Sequence, residues 1–234
     1  MASEQESSRG WWVTFASMLA LTVGSPVISV GTVGVFMQPM IDDFGWSRGQ
    51  YFFAFTVGGL VGSIGMLLAG MAADKFGGRL SLLVGITLYA ATGVCFGFIG
   101  PTFAEYFILW IIVGLLAMST AAPIYVKIVS RWMDRNRGLA VAIVMVGMGI
   151  GNMIIPPLTS GVLIPEYGWR SARVILGVLS FVVAFPMVFF FVREPHETTV
   201  AHAAPPSSQT GETLRVALQD RKSTRLNSSH GYIS

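Results

Sequence analysis

Acidic and basic side chains are missing from six long stretches of this chain, residues 10–41, 49–73, 80–104, 106–126, 138–165 and 174–192. Nearly all of its charge is confined to the gaps between them. Each stretch has at least 19 residues, and about 20 apolar residues carry a helix across a hydrocarbon core of roughly 30 Å. A charge at the centre of such a helix costs on the order of 2.5–3.5 kcal/mol on insertion scales, so six uncharged runs in one chain are a strong constraint. They predict an all-α membrane protein with six transmembrane helices. A soluble fold would need six helices apolar on every face, with too little polar chain left to cover them. The lipid bilayer is the first partner the sequence implies.

Composition agrees, with 53% hydrophobic and 12% charged residues among 234 and a mean hydropathy of +0.65. Many of the 27 glycines fall inside the apolar runs, where small residues let helix backbones approach closely. The single Cys95 cannot form an intrachain disulfide, and its place in the third run predicts a packing residue. Lys and Arg distribute unevenly between alternate loops. Arg9, Lys75, Arg79, Lys127, Arg131, Arg135, Arg137 and Arg193 fall on one side, and Arg48, Arg170 and Arg173 on the other. Eight against three predicts both termini in the cytoplasm, with the chain in the plasma (inner) membrane. The modest net charge of +3 follows from that bias and implies no nucleic-acid partner. Glu4, Glu6 and the length of the first run argue against a cleavable signal peptide.

The domain reading is a cytoplasmic N-terminus (1–10), a six-helix bundle (11–193) and a polar linker rich in Pro, Ser and Thr (194–219). Residues 220–234, DRKSTRLNSSHGYIS, differ in kind. One codon choice for Asp220 to His230 resembles a common short-read sequencing adapter throughout, and the last codons fit the bases that follow an index. This tail is therefore expected to be non-native, and the natural frame to stop inside the linker of a longer protein. Without the tail, three basic and one acidic residue drop from 15 and 12, leaving 12 and 11.

The loop between the second and third runs reads GMAADKFGGRLSLL, from Gly70 to Leu83. Gly70 would allow close approach at a helix end, and Gly77 with Gly78 would supply a tight reversal. Asp74 could cap a helix N-terminus or bind a neighbouring Arg, a contact able to exist in one state of a moving interface. Gly70, Asp74, Lys75, Gly77 and Arg79 together match the loop motif of the major facilitator superfamily. The stretch VGVFMQPMIDDFGWSRGQ before it, and SRWMDRNRGLAVAIVMVGMGIGNMIIPPL and EYGWRSARVILG after it, lie at the expected helix junctions. With that loop they resemble the monocarboxylate-transporter and oxalate–formate-antiporter branch of the superfamily. RGWWV at Arg9 to Val13 looks like a degraded form of its entry motif. The resemblance covers Arg9 to about Glu194. It implies the N-terminal half of a twelve-helix secondary transporter that moves a small organic anion, with a proton or an exchanged anion. The C-terminal six-helix half would be the missing partner, and would hold the substrate-binding Arg and its acidic neighbour. By the same resemblance, Asp74 would meet the other half when the cytoplasmic side is closed. Two departures stand out. The first run has no Lys, and Trp110 stands where many proton-coupled members carry an Arg.

A weak internal repeat fits this build. Ser47-Arg48-Gly49 precedes the second run and Asn136-Arg137-Gly138 the fifth. Asp74, Gly77-Gly78-Arg79 precede the third, and Glu166, Gly168-Trp169-Arg170 the sixth. Three helices followed by three inverted ones is the pattern expected. Gly24-Ser25-Pro26, Pro123, the glycines at 147, 149 and 151, and Pro156-Pro157 predict kinks, either gating bends or static packing.

Because the charged residues were all placed in loops, binding chemistry inside the spans falls to neutral groups. Ser25, Ser29, Thr32, Ser119, Thr120, Tyr125, Asn152 and Thr159 are available. The cavity candidates are Ser29, Thr32, Thr120, Tyr125 and Asn152, with Asn152 the costliest to bury unpaired. Interhelical hydrogen bonding is the alternative role of Asn152, and Tyr125, close to the cytoplasmic end, could be a gate or an interface aromatic. No metal-ligand spacing, nucleophile triad or phosphate loop is present, and no cofactor is expected. The competing function class, a complete six-helix membrane protein that is not a transporter, would require polar catalytic residues in the spans.

Overall fold

The computed structural model describes residues 2–133 and 136–192, with side chains from Ser8 onward; the linker and the tail lie outside the described residues. Helix α1 (Ala2–Thr22) leads through a short π-helix (Pro26–Gly31) into α2 (Val33–Phe44), and the three make the first span. The interruption follows from the sequence, since Pro26 has no N–H to give to a helical ladder. Beside it, the Ser25 hydroxyl donates to the Ala117 carbonyl on the fourth span at 2.6 Å. Gly45, at φ 70°, stops α2. Ser47 and Gln50 then form a reciprocal capping box that starts α3 (Arg48–Phe76).

Helix α4 (Gly78–Phe96) is the third span, and α5 (Phe103–Ala117), a 3₁₀ turn (Met118–Thr120) and α6 (Ala122–Trp132) make the fourth. The third helix ends well before its uncharged run does, because Gly97, Gly100 and Pro101 favour a reversal. The fourth begins earlier than its run, with Glu105 in its first turn. That carboxylate accepts the Gly100 N–H at 2.7 Å, where negative charge also suits the positive end of the helix dipole. Helix α7 (Arg137–Leu158), a π turn (Thr159–Leu163) and α8 (Ile164–Phe191) follow.

Among the described residues, five continuous helical stretches are long and apolar enough to cross a membrane, and the last holds 55 residues. At 1.5 Å per residue that is roughly 80 Å, well over twice the length one crossing needs. Gly168 divides it, with φ 76° and ψ 162° inside α8, so the stretch carries both the fifth and the sixth span. Gly77 adopts nearly the same backbone, φ 88° and ψ 149°, at the start of the third span. The two glycines occupy matching places in the internal repeat.

Packing repeats too. Helix α3 lies on α5, α1 on α7, and α4 on α8. A Cβ at Gly58 would stand 2.6 Å from the Trp110 carbonyl oxygen, and one at Gly62 would stand 3.6 Å from that of Gly114. Gly147 and Gly151, each 89 residues further on, meet the carbonyls of Met18 and Thr22 more closely still. Met18 and Thr22 in turn precede Trp110 and Gly114 by 92 residues each. The second span meets the fourth as the fifth meets the first, which is the exchange that a three-plus-three repeat requires.

Aromatic side chains fill one end of the bundle. Trp46 lies 5.0 Å from Tyr106, Phe96 lies 5.7 Å from Trp110, and Phe44 meets the edge of Trp169 at 5.4 Å. Trp110 is buried in this cluster. Large apolar side chains also point outward, Leu67 at 68% and Met153 at 79% exposure, as lipid contact or a further bundle would demand. Cys95 corrects the sequence reading. It is exposed on α4, because Thr92 and Phe96 occupy the inward face of that turn.

Candidate functional site

At the end where α3 turns into α4, the loop motif ties four spans together. Asp74 forms an ion pair with Lys127 of α6. Arg79 donates through Nη2 to the Phe189 carbonyl at 2.6 Å and lies 5.5 Å from that ring. It thereby satisfies one of the carbonyls left open in the last turn of α8. Lys75 lies over Phe76 at 5.2 Å. Two details differ from expectation. The partner of Asp74 is a lysine of the fourth span, since that basic side chain is the one α6 delivers to the end of α3. Gly70 makes no close approach within this bundle, because a Cβ there would meet nothing within 4 Å. Both members of the Asp74–Lys127 pair are exposed, 68% and 39%, so solvent screens the pair and it adds little to stability. A contact of that size is easily exchanged for another.

The neutral candidates separate into two groups. Ser29, Thr32, Thr120 and Tyr125 are buried inside the bundle. Ser29 shares a 2.6 Å hydrogen bond with Tyr89 of α4. Thr32 donates to the Ile28 carbonyl at 2.5 Å and Thr120 to that of Ala117 at 3.1 Å. The Tyr125 hydroxyl has no hydrogen-bond partner. Ser119 and Thr159 also bond back to their own helices. Asn152 alone among the five cavity candidates is exposed. Its Nδ2 donates to the Met148 carbonyl at 2.9 Å, and its Oδ1 faces Gly31 so closely that a Cβ there would collide with it. It marks the seam between the first and fifth spans.

The opposite end is closed by a second ion pair. Asp43 accepts from Arg170 Nη1 at 2.5 Å and from Trp169 Nε1 at 3.2 Å. Arg170 stacks over Trp169 at 4.4 Å and reaches the Ile99 carbonyl at 3.4 Å. The start of the sixth span is thus pinned to the ends of the first and third.

Arg173 overturns the expectation that every charge is a loop charge. It is 3% exposed, with its guanidinium 3.8 Å from the Phe36 ring centre and 5.0 Å from that of Phe96. The reason is helical phase. Once α8 restarts after Gly168, Trp169, Ala172, Arg173, Leu176, Gly177, Ser180, Ala184 and Val188 are its buried residues. These positions recur at three and four residues, the inward stripe of a helix. Reading the helix from Trp169 instead of from the first uncharged residue would have put Arg173 on that stripe.

Comparison with known proteins matches residues 11–226 to the Major Facilitator Superfamily. The chain belongs to this superfamily. It is 26% identical over 179 residues to a gallate transporter of Pseudomonas putida, covering 76% of this chain and 39% of that one. It is 29% identical over 180 residues to monocarboxylate transporter 6 of Mus musculus, covering 75% and 37%. With the oxalate:formate antiporter of Oxalobacter formigenes it shares 27% over 188 residues, covering 76% and 43%. The chain spans about two fifths of the length of the curated relatives it matches.

Proposed function

We propose that this superfamily member is the N-terminal six-helix half of a secondary transporter for a small organic anion, a monocarboxylate or related carboxylate. The carrying observation is the three-plus-three bundle, with its matched helix pairs, in a chain whose match spans about two fifths of the length of transporters named for such anions. Alternating access needs two bundles rocking about a shared site near the midplane. In this reading the outward apolar faces and the Gly31–Asn152 seam meet the second bundle or lipid. Asp74 exchanges its Lys127 contact for one across the interface as the cytoplasmic side closes. A proton or an exchanged anion balances the cycle.

Expressed alone, residues 1–219 are expected to insert but to catalyse no uptake of lactate, pyruvate, formate, oxalate or gallate into vesicles. Supplying the C-terminal half as a separate chain should restore uptake of at least one of them. Saturable uptake by the short chain would overturn the half-transporter reading. Uptake of sugars or cations alone by the restored pair would refute the substrate class and leave the fold standing.

A further inference from the structure

Among the described residues, the ion pairs are Lys127 with Asp74 and Arg170 with Asp43, and neither includes Arg173. Its Nε and Nη2 have no hydrogen-bond partner. The guanidinium stays protonated under any ordinary condition. Burying it away from a counter-charge carries a penalty of several kcal/mol, and two unmatched N–H groups add to it. Phe36 and Phe96 offset part of this through their ring faces, but rings accept no directional N–H bond comparable to that of an anion. Tyr51 lies within hydrogen-bonding reach of the guanidinium, and Tyr89 and Tyr106 lie within electrostatic reach. All three are neutral. The Tyr51 hydroxyl already donates to the Val33 carbonyl at 2.7 Å, and that of Tyr89 is shared with Ser29 at 2.6 Å. They can serve the cation only as neutral acceptors, which leaves its charge uncompensated.

We infer that Arg173 and its aromatic surround form a binding site for one small monovalent anion inside the six-helix bundle, held through Nε and Nη2. The pair of adjacent donors suits a halide bridging two N–H groups or one carboxylate of a very short acid, since planar forks favour such acceptors. The site belongs to this bundle by itself and does not depend on the transport reading, so binding is measurable on the chain as it exists.

The test is thermal unfolding of the full 234-residue chain in nanodiscs, titrated with sodium chloride or sodium formate at ionic strength held constant with sodium gluconate. A ligand that binds only the folded state raises the melting temperature as its concentration passes the dissociation constant. The wild-type chain should show a saturable rise with chloride, formate or both, and whichever ion saturates identifies the source. Arg173→Met should abolish the dependence. Arg173→Lys, which keeps the charge and loses the fork, should need about ten-fold more anion for the same shift. A response that is flat for both ions, or equal in wild type and Arg173→Met, would overturn the site and leave water as the occupant. If Arg173→Met does not fold, chloride-35 line broadening on the wild-type chain decides. Broadening displaced by formate and not by gluconate supports the site, and its absence refutes it.

Discussion

Asp74 and Lys127 meet in the open, and an exposed pair contributes little to stability. Asp74→Asn is therefore expected to leave the unfolding midpoint of the chain nearly unchanged. If the carboxylate also latches the closed state of a complete transporter, the same change should slow uptake while insertion stays normal. Cysteines placed at that end should then label faster from the cytoplasmic side. Unchanged uptake and labelling would reduce the loop to an ordinary turn. Residue identities made this much legible: Gly77 and Gly168 do take left-handed φ values where the repeat placed them, and the loop acid does find a base. Arg173 was hidden by the rule that revealed the spans. A charge one residue outside an uncharged run reads as loop, and only the helix restart at Gly168 shows that it faces inward.

At the scale of elements, sequence periodicity identifies helices but not which of two adjacent small residues touches a neighbour. Successive positions on a helix point about 100° apart, and in an all-round apolar helix composition does not mark the packed side. Gly58 and Gly59 make the case. A Cβ at Gly58 would press on the Trp110 carbonyl at 2.6 Å, while one at Gly59 meets nothing within 4 Å. Gly58→Ala should force α3 and α5 apart and destabilise the chain by about 1–3 kcal/mol. Gly59→Ala should be neutral, or stabilising by up to about 1 kcal/mol, because alanine loses less backbone entropy in a helix. Gly147→Ala and Gly149→Ala should repeat the contrast on α7, since only the first faces a backbone, that of Met18. Denaturant titration of the four variants in one detergent measures all of this. Equal losses at Gly58 and Gly59 would contradict the packing. Helix ends escaped the sequence for a related reason. Charge marks where a span must have ended, whereas Gly97, Gly100 and Pro101 end the third helix earlier through backbone preference.

For the whole molecule, the open question of orientation rests on the distribution of basic residues, and burial of Arg173 sharpens it. A guanidinium inside the bundle is no longer a loop charge, so the side that held three basic residues keeps Arg48 and Arg170, against eight on the other. Each Lys or Arg retained beside a span weighs on orientation during insertion. Both termini should then lie in the cytoplasm. Exposed Cys95 would report on any thiol reagent, so the measurement needs a Cys95→Ser background. In that background, Lys75→Cys and Arg137→Cys should react with a membrane-impermeant maleimide only when the cytoplasmic face is open to it, as in inverted vesicles. Arg48→Cys and Glu166→Cys, exposed at the opposite end, should react in intact cells. Reversed labelling of all four would invert the molecule and move the Asp74–Lys127 end outside. Labelling of Lys75→Cys and Arg137→Cys from opposite faces would be a deeper failure. The repeat places both at the same end, so that result would contradict the six-span bundle itself.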